Sequence, residues 1–245
     1  MRPLIVTLDG PAGSGKSTVA RRLAQRLGLR FLDTGAMYRG LAAACLDHGI
    51  DTAGDPARVI EFAQHCRFRF DWETDPPRLH IHNGQGDVDM TDRLRDADVT
   101  VSVSDVAAIP EVRSILVEAQ KKIGADFPWL VTEGRDQGSV VFPEAHAKFY
   151  LEAQPQVRAQ RRSAQLRDAG KPVDETQILQ QIVTRDHKDS TRRSGPLICP
   201  PDALRIDTSA MSLDEVVDHV ERCVRQRCAQ TLREARPTAT SPHGR

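Results

Sequence analysis

The chain alternates short apolar runs with longer stretches of helical period. Residues 4–8, LIVTL, are apolar on both parities and rich in β-branched types, which predicts a central strand buried on both faces. From Ser17, STVARRLAQRLG sets Val19, Leu23 and Leu27 on one face and meets Gly28, so an amphipathic helix is expected to stop there. FLD at 31–33 reads as a short strand, and TGAMYRGLAAACLDHG as a helix ending at Gly49. WLVTEG (129–134) and AKFYLEA (147–153) repeat the buried-strand pattern. PQVRAQRRSAQLRDAG follows as a helix with proline in its first turn. Asp174 is placed to cap DETQILQQIVTRDHKDSTRR. ALRIDTS (203–209) is a last strand, and Ser212 caps a closing helix.

Residues 51–130 follow another pattern. Strand-like HCRFRFDW and RLHIHNG bracket a polar turn around Asp75-Pro76-Pro77, and the polar stretch GDVDMTDRLRDADV follows. VSVSDVAAIPEVRSILVEAQKKI is helical with a break or fresh start at Pro110. This segment reads as an insertion carried on a core. REARPTATSPHGR (233–245) has no apolar period and is expected to be a disordered tail. Strands alternating with helices predict an α/β fold with a doubly wound parallel sheet.

Composition narrows this further. The 245 residues and 39% apolar content suit one sizeable domain over 1–232. Lysine plus arginine equals aspartate plus glutamate, so the broad basic field of a nucleic-acid binder is missing. The five cysteines, at 45, 66, 199, 223 and 228, form no CxxC pair, which argues for reduced thiols rather than a disulfide framework or zinc site. The N-terminal apolar run is cut by Asp9, too short for a signal peptide, and no run approaches the roughly 18 residues of a membrane span. A soluble, cytoplasmic protein is expected.

GPAGSGKST then supplies chemistry. Gly10, Gly15, Lys16 and Ser17 meet the pattern G-x-x-x-x-G-K-[ST], with a strand before and a helix after. Glycines let backbone N–H groups turn inward on a phosphate, and the helix N-terminus adds positive dipole. Lys16 is expected to reach the β- and γ-phosphates and Ser17 to ligate Mg²⁺. The whole loop, Gly10, Pro11, Ala12, Gly13, Ser14, Gly15, Lys16, Ser17 and Thr18, is expected to hold ATP. No Asn-Lys-x-Asp guanine motif occurs, which argues against a GTP switch.

Arginines cluster elsewhere. Arg158 and Arg162, with Arg161 between, share a helix face. They form either a solvated basic stripe or a lid that spreads charge over a triphosphate. Arg185, Asp189 and Arg192 share a face if their helix runs through them; the alternatives are a weak Arg–Asp pair or a clamp on sugar and phosphate. Gly134-Arg135-Asp136 leaves the carboxyl end of a parallel strand, where ligands bind. That places Arg135 for phosphate and Asp136 to accept from an amino group. Glu133 and Asp33 end strands and are candidates for magnesium or its water, or for capping and arginine pairing. Arg39, Arg135, Arg185 and Arg192 thus face the loop from separate segments. So many arginines suit an acceptor that is itself a phosphate, which points to a nucleoside monophosphate.

LDGPAGSGKSTVA, LDTGAMYR, VAAIPEVR, TEGRDQGSVVFP, QRRSAQL and RDHKDSTR followed by PL resemble bacterial cytidylate kinases, in order and spacing, from about residue 3 to 228. The resemblance implies a P-loop three-layer sandwich with a nucleotide-binding insertion at about 65–125 and a short helical lid at about 155–172. It implies phosphoryl transfer from ATP to CMP or dCMP, with Mg²⁺, by a monomer. It places Thr34, Tyr38 and Arg39 in the monophosphate site and brings Ser104 and Arg113 to the nucleoside. Arg135 and Asp136 match phosphate and base contacts, Arg185 and Asp189 a ribose-side pair, and Arg192 another acceptor contact. Lys16, Arg158 and Arg162 are the residues expected to act on the transferring group. His187-Lys188, Ser190 and Ser194-Gly195 depart from the family pattern, and MTDRLRDADV is a loose version of its insertion. Two other readings stand beside it: a kinase of the shikimate type, whose acceptor has no phosphate, and a non-catalytic ATP-binding protein.

Overall fold

The structure, a computed structural model, describes residues 3–234 apart from Gln85 and Lys171. Five strands build one parallel sheet in the order β2 (Arg30–Asp33), β6 (Trp129–Gly134), β1 (Leu4–Asp9), β7 (Ala147–Glu152), β8 (Leu204–Asp207). Alternation along β1 divides the core: Leu4, Val6 and Leu8 face one side, while Ile5 packs on the other. On the first side lie α1 (Lys16–Leu27) and α8 (Leu213–Arg227), with Val19, Leu23, Val217 and Val220 buried. On the second lie α2 (Thr34–Asp47) and α5 (Pro110–Asp126), with Met37, Leu41, Val112 and Leu116 buried. This is the doubly wound parallel sheet that the alternation of elements predicts, in the three-layer α/β sandwich that the resemblance implies. Ser212 caps α8 through a capping box with Glu215.

The middle of the chain adds a three-stranded antiparallel sheet, β3 (Arg67–Asp71), β4 (Arg78–His82) and β5 (Asp87–Asp89). Its Phe70, Leu79 and Ile81 share one core with α2, α5 and α4 (Ala97–Ala108). Pro110 starts α5 after an extended Ile109, as its ring and missing N–H require. The polar stretch 86–99 holds β5, a tight turn at Thr91–Arg95 and the start of α4. One helix departs from the sequence reading: α3 (Pro56–His65), which buries Val59 and Ala63 at a spacing of four. Its start signal is present in the sequence: Asp55 accepts from the Arg58 N–H and Pro56 opens the first turn.

The remaining helices are α6 (Pro155–Asp168), packed on α7 (Glu175–Thr191), and α9 (Ala229–Glu234). Of the expected disordered tail 233–245, Arg233 and Glu234 instead close α9, and residues 235–245 lie outside the described residues. No helix among the described residues is long and apolar enough to cross a membrane. The chain leaves β1 toward β2 and leaves β6 toward β7, in opposite directions. A crevice therefore opens between the carboxyl ends of β1 and β6, where the phosphate loop and Gly134-Arg135-Asp136 both begin.

Candidate active site

The loop from Gly10 runs so close to β7 that a Cβ on Gly10 would overlap the Leu151 carbonyl. Gly15 caps α1 in the left-handed region, φ 86°, and offers no side-chain partner to the first helical N–H groups. Those groups are left for an anion. Lys16 is buried; its Nζ donates to the Pro11 carbonyl at 3.3 Å and lies 3.7 Å from Glu133 Oε2. Burial, with Arg135 and Arg185 nearby, lowers its pKa to about 8 against the pull of Glu133. Ser17 Oγ donates to Glu133 Oε1 at 2.9 Å. Burial raises the Glu133 pKa, and Asp33 beside it adds to the rise against the attraction of Lys16. Ser14 is buried, while Ser17 and Thr18 are exposed.

Asp33 does both structural tasks the sequence left open. It caps α2 through the Ala36 N–H at 2.8 Å and pairs with Arg39 at 2.9 Å. Burial opposes its ionisation, but Arg39, Glu133 and the Ala36 N–H outweigh it and keep its pKa low. Thr34 Oγ1 donates to the Glu133 carbonyl at 2.7 Å. Arg135 Nε donates to Asp189 Oδ2 at 2.8 Å. Arg185, on the same helix as Asp189, makes no hydrogen bond or ion pair among the described residues. Burial and the repulsion of Arg135 and Arg39 bring its pKa down to about 10. Lys16, Arg39, Arg135, Arg185 and Arg192 thus converge on three carboxylates, Glu133, Asp33 and Asp189. The excess positive charge is arranged for an anion.

Beside this lies a second group. Arg113 and Asp136 form a buried ion pair, with the Arg113 guanidinium 5.7 Å from the Tyr38 ring. Burial raises the Asp136 pKa despite Arg113 and Arg192. The Tyr38 hydroxyl, Arg113 Nε and Arg192 Nη2 are buried without hydrogen-bond partners. Orphaned polar atoms at one place signal a missing polar ligand. Ser104 stands half-buried on α4. Arg192 falls one residue past α7, in extended conformation, so it does not share the helix face of Arg185 and Asp189. It still lies 3.5 Å from Asp189 Oδ1 and donates Nε to the Gly195 carbonyl.

The cytidylate kinase family model matches residues 6–226. The chain belongs to the cytidylate kinase family. It is 44% identical over 225 residues to a cytidylate kinase of Nocardia farcinica, covering 91% of this chain and 94% of that one. Identity is 43% with one of Mycobacterium avium, over 91% and 96% of the two chains. It is 40% with one of Azotobacter vinelandii, over 90% and 94%.

Within this family member, two expected lid arginines are placed differently. Arg158 is buried: Nε donates to the Ala153 carbonyl at 2.8 Å, Nη1 to the Ala12 carbonyl at 2.9 Å, and Asp186 pairs with it at 2.7 Å. It braces the phosphate loop against α7. Arg162 is exposed on α6, 3.4 Å from Gln165 Oε1.

Three residues absent from the sequence reading complete the floor. Asp9 accepts from the backbone of Gln137 at 2.9 Å and of Gly138 at 2.7 Å, in the single wide turn Gln137–Val141 behind Asp136. Gln137 accepts from Thr132 Oγ1 and donates to Gln120. Asp9 ends a strand beside Gly10, so the strand-end rule that selects Asp33 and Glu133 reaches it too. The two glutamines carry no sequence signal, because their partners lie on separate elements.

Burial raises the Asp9 pKa to about 7, more than its two N–H bonds lower it. The folded state therefore holds a proton that the unfolded state loses near pH 4. Its contribution destabilises the fold progressively as pH rises from about 4 to about 7, and is absent below that window. Urea midpoints measured across the window should show this falling component in the native protein and lose it in Asp9→Asn. An unchanged slope in the variant would refute the assignment.

Proposed function

We propose that the protein transfers the γ-phosphoryl group of ATP to CMP or dCMP, giving ADP and CDP or dCDP. The observation that carries this is the set of Arg39, Arg135 and Arg185 facing a glycine-rich anion loop that itself carries Lys16, with Arg185 lacking any ion-pair partner among the described residues. The loop 10–18 suits the phosphates of ATP; Arg39, Arg135 and Arg185 suit the acceptor phosphate, and Thr34 supports Glu133 below them. Tyr38, Ser104, Arg113, Asp136 and Arg192 suit the nucleoside, with Asp189 holding Arg135 in place.

No general base is needed, because the attacking phosphate oxygen is already anionic at neutral pH. Two polyanions must meet in line, so the work of the protein is positioning and neutralisation. Lys16 and the arginines offset the repulsion. Exclusion of water from the crevice prevents loss of ATP to hydrolysis. Ser17, Glu133 and Asp33 form an all-oxygen set beside the loop, with Ser17 Oγ donating to Glu133, whose pKa burial raises most, and the two carboxylates close enough for Asp33 to raise it further. They fit Mg²⁺, a hard cation that takes one or two carboxylates and the substrate's own phosphates. When bound, Mg²⁺ would supply neutralisation of the phosphate charge.

The division into a core, an insertion at 65–125 and a lid at 155–172 belongs to this reading. Arg162 is its solvent-side lid arginine, and Arg158 acts on the reaction by fixing Ala12. We also propose a cytoplasmic monomer that binds neither nucleic acid nor membrane; the balanced charge supports the absence of a broad basic surface for either polyanion.

The test is ADP release from Mg·ATP with CMP, dCMP, UMP, AMP, shikimate or no acceptor. Fast release with CMP and dCMP, and little with AMP or shikimate, is the expected result. Release that ignores the acceptor would overturn the reading.

A further inference from the structure

β1 ends on Asp9, and the phosphate loop begins on the next residue. Asp9 is 1% exposed. In register it lies between Gly134 of β6 and Tyr150 of β7. Its carboxylate reaches past Gly134-Arg135-Asp136 and accepts the two backbone N–H groups that follow. Oδ1 takes that of Gln137 at 2.9 Å and Oδ2 that of Gly138 at 2.7 Å. One side chain therefore joins the root of the phosphate loop to the segment that carries Arg135.

Both joined parts are also held elsewhere. Gly10 leaves no room for a Cβ against the Leu151 carbonyl. Arg135 Nε is tied to Asp189 at 2.8 Å. Gly138 is pressed onto β1 and β7: a Cβ there would lie 2.9 Å from Thr7 Oγ1 and 3.2 Å from Lys148 Cδ. The link through Asp9 is short and stiff, a planar carboxylate with one donor on each oxygen.

Stability does not explain a carboxylate at this place. Lys16, the nearby cation, is paired with Glu133 instead. Burial raises the Asp9 pKa to about 7, so its ionised form weighs against folding. A buried charge that opposes folding points to a task outside stability.

We infer that Asp9 is a positioning residue for the transfer: by clamping Gln137 and Gly138 it fixes the spacing between the phosphate loop and Arg135, and so the gap that the phosphoryl group must cross. This role rests on the proposed transfer from ATP to a nucleoside monophosphate. Each nucleotide is bound by groups on its own side of the clamp. In-line reaction needs both sides in place at once. Loosening the clamp should leave each nucleotide bound and slow only the step that joins them.

Two variants loosen it from opposite sides. Asp9→Asn keeps the shape but turns one of the two acceptors into a donor that faces an N–H. Gly138→Ala leaves Asp9 intact and drives the turn off it through the contact with Thr7. Gly138 is not in the left-handed region, so alanine adds no backbone strain.

The measurement is kcat, with the KM for CMP and for ATP, in the native protein and both variants. It is made at about pH 8, where Asp9 is ionised. Thermal melting of each protein accompanies it. In both variants kcat should fall about 10²-fold, as misplacement by about 1 Å does, while both KM values stay within about threefold of native. A residue that only held the fold would lower the melting temperature and leave the kcat of the folded protein unchanged. A kcat within about threefold of native in either folded variant, or a loss carried by one KM, overturns the inference alone. Where one variant does not fold, the other decides; if neither folds, Asp9 is structural and the inference fails. Failure of the native protein to use CMP overturns the proposed function and this inference with it.

Discussion

Lys16→Ala should lower kcat by about 10³-fold or more, which corresponds to about 4 kcal/mol of transition-state stabilisation. The geometry explains the size. Lys16 Nζ is bonded only to the Pro11 carbonyl and sits 3.7 Å from Glu133. Burial and neighbouring arginines work against its charge, bringing its pKa down to about 8. A cation kept where it is disfavoured is available to an incoming phosphate, which reverses that penalty.

The same geometry predicts an intact fold. Removing Lys16 leaves Glu133 without its nearest ammonium, but the Glu133 pKa is already raised and Ser17 donates to it. The carboxyl can take up a proton rather than remain as a buried bare charge. Thermal melting near that of the native protein, together with the collapse in kcat, is the expected pair of results. Turnover within tenfold of native would refute the role. Lys16→Arg should fail as well, because a planar fork does not replace a point charge in this space.

The second large effect belongs to Asp136. Asp136→Ala should raise the KM for CMP by about 10²-fold, since a site built to bond a polar group loses heavily when that bond is removed. ATP affinity should change little. There is also a stability cost. Arg113 is buried against Asp136, and removing one partner of such a pair costs about 3–5 kcal/mol.

A double variant separates the two consequences. Asp136→Ala with Arg113→Met removes the stranded charge and should recover most of the stability, because a buried pair is often replaceable by apolar groups. It should recover none of the CMP recognition. Initial rates against each nucleotide, with urea unfolding of all three proteins, decide the matter. Equal losses for CMP and ATP would count against a base-side role for Asp136.

Much of this arrangement is legible from residue order. LIVTL, WLVTEG and AKFYLEA lack the alternation of a half-exposed strand, so both faces had to be covered, and a parallel sheet between helix layers follows. Gly10, Gly15, Lys16 and Ser17 declare an anion loop because its geometry is local, set within nine residues. Asp33, Glu133 and Arg135 are legible because strand ends in such a sheet point into one crevice.

Tertiary packing alone decided the rest. Arg158 and Arg162 look equivalent along a helix, four residues apart. One is buried with three protein partners and the other is exposed, because only Arg158 faces Ala12 and Asp186 across the fold. Arg192 reads as part of the α7 face until the helix ends at Thr191 and turns it toward Gly195. Helix period places side chains around a single axis. It carries no information about which neighbour that axis will meet. Contacts such as Asp9 with Gln137, or Gly195 with Arg113, join residues tens to more than a hundred positions apart. The sequence by itself determined the layers, the phosphate loop and the supply of arginines. Which of those arginines face substrate and which brace the protein depends on long-range packing, where burial and partner supply fix the fate of each charge.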